Sequence, residues 1–477
     1  MRPLLFTAIF LVTSGASFKY LVYSPLLAKS HVNFMGKLAD ALLDAGHEVV
    51  MLSPIINTKI DASGTTKVRT IEIPQCEIAK QHQAELESDG GFVSSSWTSR
   101  SMADELKSFE LLMRGWVDQC NATLRHPGLM QQLRDEKFDV AFAELVDLCA
   151  IGLFKQLGIE KWAITMSIAT LDATFELTGA AANPAYVPLF ISPFGEEMSF
   201  RERLRNTLTL GGMKWAGGYL HGQIQTVFDE IYPEGGNIRE WMNTASLVFL
   251  NSEPYIDFPR PTTHKILEIG GITVEHKHKN LNKTWSALMD LRPRTIFMSF
   301  GTMAQSYKMP EAYKQNIRRT FKKFPDVTFI WKYEKPEHNI SHGIKNLVET
   351  TWAPQTDMLR DRRLTAFITH GGQGSTTEAT TAGVPLVAIP VMADQMRNAK
   401  MLKRAGLAVV LQKEDLGDES KLEEAVKAIL QDKGYLQRAR ATAKMISKRP
   451  FSMKKIFVRN MEFLAEKACF REKAKSE

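Results

Sequence analysis

Between Trp352 and Ala399 the chain holds residues whose types and spacing suit the handling of a diphosphate. His370 is followed by glycines at 371, 372 and 374, then by Ser375 and Glu378, and Asp394-Gln395 come after a second apolar run. Glycines let a charged ligand approach the backbone, and the free N–H groups of a helix start favour an anion there. His370 can donate to the same phosphates. A second chemical candidate lies far upstream. His31 stands where a loop opens a helix, and an imidazole with an ordinary pKa near ~6.5 suits the removal of a proton from a hydroxyl. Position alone leaves an equal reading, a histidine that merely starts a helix. A working base needs a carboxylate behind it, and Glu144 and Asp147 both follow one apolar run.

These residues need elements to hold them. Thr365 to Thr369 reads as a buried parallel strand, and the helix after it is expected to begin near Ser375, with Ser375 as its cap and Glu378 in the capping-box position. Gly383 closes that helix, and Pro385 to Ile389 is the next strand. The first half opens as strand Lys19 to Ser24, helix Val32 to Ala45 and strand His47 to Ser53, with further strands at Asp139 to Ala143 and Trp162 to Ser167. In the second half Thr295 to Ser299, Val327 to Lys332 and Ala408 to Leu411 repeat the pattern. The spacing predicts an α/β protein of two Rossmann-like, doubly wound domains facing across a cleft, with ligands off the carboxyl ends of the strands. Residues 172 to 260 read as less regular, an adaptable apolar pocket or a packed helical layer. His47, which begins a strand, reads as structural.

The chain has 477 residues, 44% of them hydrophobic and 24% charged, which is too long for one core and ordinary for a globular enzyme. The net charge is +7, but the basic residues are dispersed apart from a C-terminal region, so a solvated surface is expected and no nucleic-acid partner. Leu4 to Val12 followed by Ser14 to Ser17 resembles a cleaved secretory signal, and the sequons at Asn121, Asn282 and Asn339 agree with a lumenal or secreted chain. No later window offers the ~20 apolar residues of a spanning helix. Cys76, Cys120, Cys149 and Cys469 are too scattered for a disulfide framework or a metal site, which leaves at most one incidental bridge.

The segment from Phe367 to Ala399 resembles the signature of the UDP-glycosyltransferases, the family that includes glucuronosyltransferases. The resemblance implies the GT-B fold, with the donor nucleotide on the second domain and the last helix, Met453 to Cys469, crossing back to the first. It implies His31 as catalytic base, with Glu144 in the supporting position where many relatives carry Asp, and Asp147 as the alternative. Trp352 resembles the family's uracil-stacking residue, Gln355 its ribose or base partner, and Glu378 the carboxylate that binds ribose hydroxyls. His370, Gly372 and Ser375 match the diphosphate loop, although Gly374 stands where many plant members have Asn. Ser299, Gly301 and Thr302 resemble the loop opposite the β-phosphate, and Asp394 and Gln395 the pair that binds the transferred sugar. Against this, Trp352 can be read as core and Asp394 as a helix cap.

The expected domains are a signal at 1–17, an acceptor domain at 18–262, a UDP-sugar domain at 263–448 and a C-terminal helix and charged tail at 449–477. The expected activity is inverting transfer of glucuronic acid or glucose from a UDP-sugar to a hydroxyl of a small lipophilic acceptor. No cofactor or metal is expected, since no Asp-x-Asp or His/Cys cluster is present. The alternatives are a non-catalytic UDP-sugar-binding protein and another nucleotide-sugar enzyme such as an epimerase. Acceptor identity and oligomeric state are not legible.

Overall fold

The computed structural model describes residues 17–466 apart from 61, 89–90, 92–95, 99–101, 170–171 and 275–279. The expected signal lies outside these residues except for Ser17, as do Cys469 and the charged tail.

The described residues build two all-parallel sheets. The strands of the first are β1 (Lys19–Tyr23), β2 (Glu48–Pro54), β3 (Arg69–Ile73), β4 (Val140–Glu144), β5 (Trp162–Met166), β6 (Leu247–Leu250) and β7 (Ile266–Glu268), in the order β3-β2-β1-β4-β5-β6-β7. The second contains β8 (Arg294–Ser299), β9 (Val327–Lys332), β10 (Leu347–Thr350), β11 (Leu364–Thr369), β12 (Leu386–Ala388) and β13 (Ala408–Val410), in the order β10-β9-β8-β11-β12-β13. Both orders reverse beside the first strand of the sheet, so each has a crevice at its carboxyl edge. The near-continuous apolar strands follow from helices covering both faces, as in Val140–Glu144, where all five residues are buried.

The sequence reading differs from this architecture in several places. β7 pairs with β6, so the first sheet runs past the expected boundary at 262. The stretch read as less regular, either an apolar pocket or a packed helical layer, contains one continuous helix, Phe200–Ile231, of 32 residues, in line with the second reading. Ser199 starts it as a capping box, its backbone N–H donating to Glu202 Oε2 (2.8 Å) while Glu202 N–H donates back to Ser199 Oγ (3.4 Å).

Two covalent or packed ties hold the first domain. The helix Met453–Glu466 returns to it, burying Phe457 edge-on against Phe142 and Phe249. His47 meets that helix through Glu462 (3.2 Å) and packs against Tyr20. Cys120, near the end of helix Met102–Leu124, is bonded to Cys149, at the start of helix Cys149–Gln156. The four cysteines thus supply one bridge, because packing of these helices brings together two thiols 29 residues apart. Closing a loop of that length restricts the unfolded chain by about 3–4 kcal/mol. Replacing both cysteines with serine should lower stability by about that amount in urea unfolding without reductant, and an unchanged midpoint would count against a stabilising bridge.

Candidate active site

The carboxyl edges of the two sheets carry the candidate residues singled out in the sequence. On the first domain, helix Lys29–Leu43 puts His31 in its first turn, and Glu144 ends β4 at the same level. His31 Nδ1 lies 2.8 Å from Glu144 Oε2. Glu144 is 2% exposed, so its charge needs donors. Ser167, just past β5, supplies two, its backbone N–H at 2.7 Å and its hydroxyl at 2.6 Å, both to Oε1. Since the ionised carboxylate only accepts, His31 carries its proton on Nδ1 and keeps the lone pair on Nε2. Burial opposes charge on His31, but the charge and hydrogen bond of Glu144, together with the charge of Asp394, raise its pKa above the ordinary value. Burial likewise works against the Glu144 carboxylate, yet His31 and Ser167 hold its pKa below the usual range.

Asp147 faces elsewhere. It accepts from the Tyr23 hydroxyl (2.9 Å) and the Cys149 N–H (2.9 Å), and burial pushes its pKa up to about 6. Of the two candidate carboxylates, Glu144 is the one in contact with His31. Ser167 carried no signal in the sequence beyond its place one residue past a strand.

On the second domain the loops after β8 and β11 converge. Gly301 has φ of 78°, and a side chain there or at Gly372 would collide with the His370 ring. Ser299 ends β8, and Thr302 is exposed beyond it. The helix after β11 is Gln373–Ala382, with Gly372 as its N-cap, so it starts two residues earlier than expected and Ser375 lies inside it. A glycine at 371 with φ of 78° turns the chain early, and Ser375 and Glu378 are thereby released from capping. Both instead meet Gln355, whose Nε2 donates to Ser375 Oγ (3.2 Å) and Glu378 Oε2 (2.6 Å); Thr356 donates to the other Glu378 oxygen (2.9 Å). Gly383 closes the helix in the left-handed region, as its position predicted. Trp352 is 62% exposed, which removes its reading as core.

His370 differs electrically from His31. Burial, then the charge of Lys332, lower its pKa to about 4, so it is neutral and able to donate at physiological pH. Lys332, at the end of β9, donates to the Gly301 carbonyl (2.6 Å), and burial lowers its pKa. It adds a cation to this loop cluster that the sequence reading passed over as the last residue of a strand.

Asp394 occupies the N-cap position of helix Gln395–Arg404 but makes no cap hydrogen bond through its side chain. It accepts from Asn398 Nδ2 (2.8 Å), and its charge and that of His31 act on one another across the cleft. Burial raises its pKa. Gln395 Oε1 accepts from the backbone N–H groups of Val391 (2.9 Å) and Met392 (3.0 Å), so what it can offer a ligand is its amide NH2. The residue before Asp394, Ala393, is held at φ of 55°, a strained conformation for a non-glycine that aims the following side chain. Among the described residues no group of three or more His, Cys, Asp or Glu could hold a metal ion.

The electrostatics make a direct test. Glu144→Gln removes the main interaction that raises the His31 pKa, so burial prevails and an NMR titration of the His31 ring should show its pKa falling; Ser167→Ala should shift it less. An unmoved His31 titration in the Glu144 variant would contradict this geometry.

Comparison with known proteins gives the family and the fold. The family model for UDP-glucoronosyl and UDP-glucosyl transferase matches residues 20–467. The UDP-glucuronosyltransferase ugt-56 of Caenorhabditis elegans is 30% identical over 432 residues, covering 88% of this chain and 80% of its own. The UDP-glucuronosyltransferase ugt-47 of the same organism is 28% identical over 477 residues, covering 97% and 87%. In fold, the chain is similar to the crystal structure of the glycotransferase of kitacinnamycin, with a TM-score of 0.63 at 15% identity and coverage of 94% and 99%. The chain belongs to the UDP-glycosyltransferase family, and is a UDP-glycosyltransferase enzyme built on the GT-B fold.

Proposed function

We propose that the protein transfers a hexosyl group, glucuronic acid or glucose, from a UDP-sugar to a hydroxyl of a small lipophilic acceptor with inversion. The observation that carries this reading is the His31–Glu144–Ser167 chain facing Asp394 across the cleft. His31 Nε2 takes the acceptor proton as the acceptor oxygen attacks the sugar C1. The new bond is C1–O of the acceptor, the bond broken is C1–O of the phosphate, and the electron pair leaves with UDP. Glu144 stabilises the imidazolium that forms. Attack from the His31 side, opposite the phosphate, inverts the anomeric centre.

The leaving group is received on the other domain. The N-terminus of helix Gln373–Ala382 and the neutral His370 supply donors where negative charge develops. Asp394 and the Gln395 amide take sugar hydroxyls, Trp352 stacks the base, and Gln355 and Glu378, already bonded to each other, take the ribose. Ser299, Gly301 and Thr302 line the phosphates from β8. The bridge between Cys120 and Cys149 supports an oxidising compartment, the endoplasmic reticulum lumen or the exterior. Among the described residues no helix is long and apolar enough to cross a membrane.

His31→Ala should cut turnover with a simple phenol and a UDP-sugar by about 10²–10⁴ while UDP still binds in calorimetry. Persisting turnover with intact donor binding would remove His31 from the mechanism. The pH dependence has a definite sign. As pH falls through the raised His31 pKa the base is lost, so kcat/KM should decline on an acidic limb lying above the ordinary imidazole value. Glu144→Gln should lower kcat and move that limb to lower pH; an unmoved limb would separate it from His31. Mass spectrometry of products from a donor and acceptor panel distinguishes glucuronic acid from glucose.

A further inference from the structure

Between helix Gln373–Ala382 and the carboxylate behind His31 runs an unbroken line of hydrogen bonds. Gln373, the first residue of the helix, donates through Nε2 to the Asn251 carbonyl (2.6 Å). Asn251 donates through Nδ2 to the Ser167 carbonyl (2.8 Å), and Ser167 donates to Glu144 Oε1 through its N–H and its hydroxyl. That hydroxyl also lies 3.0 Å from His31 Nδ1. Gln373, Asn251, Ser167 and Glu144 are all buried, so water does not compete for these bonds.

The first sheet explains the middle of the line. β5 and β6 stop pairing at Met166 and Leu250, so Ser167 and Asn251 stand one residue beyond adjacent strand ends. The Asn251 N–H still reaches the Met166 carbonyl (3.0 Å), and its side chain then takes the Ser167 carbonyl that the ladder leaves over. Packing does not explain the choice of amides. Gln373 Oε1 and Asn251 Oδ1 have no hydrogen-bond partner among the described residues, and a buried polar atom left so is a cost to folding. Apolar side chains at these places would fill the same space without that cost. What they would not do is fix direction, since a hydrogen bond holds one atom against another at a set distance and angle.

We infer that Gln373 and Asn251 are positioning residues, through which helix Gln373–Ala382 of the second domain aligns the Glu144 carboxylate and the His31 ring of the first. This rests on the roles proposed above for His31 and Glu144. The line holds the backbone at Ser167 where both of its donors reach Oε1, and Oε2 stays aimed at the imidazole. With the line cut, Ser167 is free to turn its hydroxyl away, Glu144 loses a donor, and the base is aligned for a smaller share of the time. The helix proposed to receive the leaving diphosphate thus also sets the group that starts the reaction on the other side of the cleft.

Gln373→Leu keeps the bulk and removes the donor. With a simple phenol and UDP-glucose or UDP-glucuronic acid, kcat should fall about tenfold or more, while UDP affinity in calorimetry stays within about twofold. NMR titration of the His31 ring in the free protein should show its pKa falling toward the value in Ser167→Ala. His31 is faced by the charges of Glu144 and Asp394, so the shift should persist in an Asp394→Asn background, where the second-domain charge is gone and undocking alone does not produce it. Asn251→Leu cuts the next link and should give the same results, which keeps the test open should one variant fold poorly. Independent roles at separate sites would make losses add, whereas a shared line predicts that Gln373→Leu costs less than about twofold once Glu144→Gln is in place. The inference is overturned by wild-type kcat in either variant, by an unmoved His31 titration, by additive losses, or by a loss of turnover fully accounted for by weaker UDP binding. If His31→Ala keeps turnover, the reading of the base fails; lost turnover in His31→Ala beside full kcat in Gln373→Leu ends this inference alone.

Discussion

The two halves of this active site are useful only if they face each other at one fixed separation, and a buried ion pair sets it. Arg397 on helix Gln395–Arg404 is fully buried and donates through Nη2 to Asp257 of the first domain (2.5 Å). Taking two charges out of water is costly, so such a pair persists only when every remaining lone pair finds a donor. Asp257 has them in Ser252 Oγ (2.6 Å), Arg260 Nη2 (3.0 Å) and the Phe258 N–H (2.6 Å). Burial alone would raise its pKa, and the two arginines instead hold it at about 2, so it stays charged at any physiological pH. Arg397 is three residues after Asp394, about one turn of the same helix. The pair that docks the domains therefore also sets where Asp394 faces His31. Gln373, bonded to the Asn251 carbonyl (2.6 Å), gives the helix Gln373–Ala382 a second tie to the first domain.

The support behind His31 obeys the same accounting. A glutamate reaches one methylene further than an aspartate, and that reach would be a liability if the carboxylate could swing. Ser167 removes the freedom by donating twice to Oε1, leaving Oε2 for the imidazole. The longer side chain and the serine thus form one device. Asp147 satisfies a different need, the buried Tyr23 hydroxyl, and its contact with the Cys149 N–H starts the helix tied by the disulfide.

Periodicity and spacing were sufficient for nine of the thirteen described strands, because buried parallel strands are written in short apolar runs bounded by glycine and proline; Arg69–Ile73, Leu247–Leu250, Ile266–Glu268 and Leu347–Thr350, short strands toward the sheet edges, were not read from the sequence. The residues matching the family pattern were also legible, since each occupies a fixed offset from a strand end. What escaped depends on partners distant in sequence. Ser167 and Lys332 matter through contacts with Glu144 and Gly301, and nothing local distinguishes them from ordinary strand-terminal residues. The Cys120–Cys149 bridge needs the packing of two helices. Over Phe200–Ile231 the sequence left a packed helical layer as one of two readings, because the glycines of that stretch argue locally against a helix. The start of Gln373–Ala382 moved because the left-handed glycine at 371 turns the chain before Ser375 can cap it.

The two histidines of the cleft show how one side chain is given two jobs by environment alone. His31 and His370 are both partly withdrawn from water, which favours the neutral form of each. His31 recovers its affinity for a proton from two carboxylates, one behind it and one across the cleft. His370 has Lys332 for a neighbour, which pushes the same way as burial. Their pKa values are thus driven apart, so near neutral pH one ring is poised to gain a proton while the other stays neutral and offers an N–H. Acid–base assignments follow from such divergence. In the proposed reaction it gives a direction to the flow of charge. The proton is taken at the first domain, negative charge develops at the second, and the Arg397–Asp257 pair keeps the path between them at a fixed length.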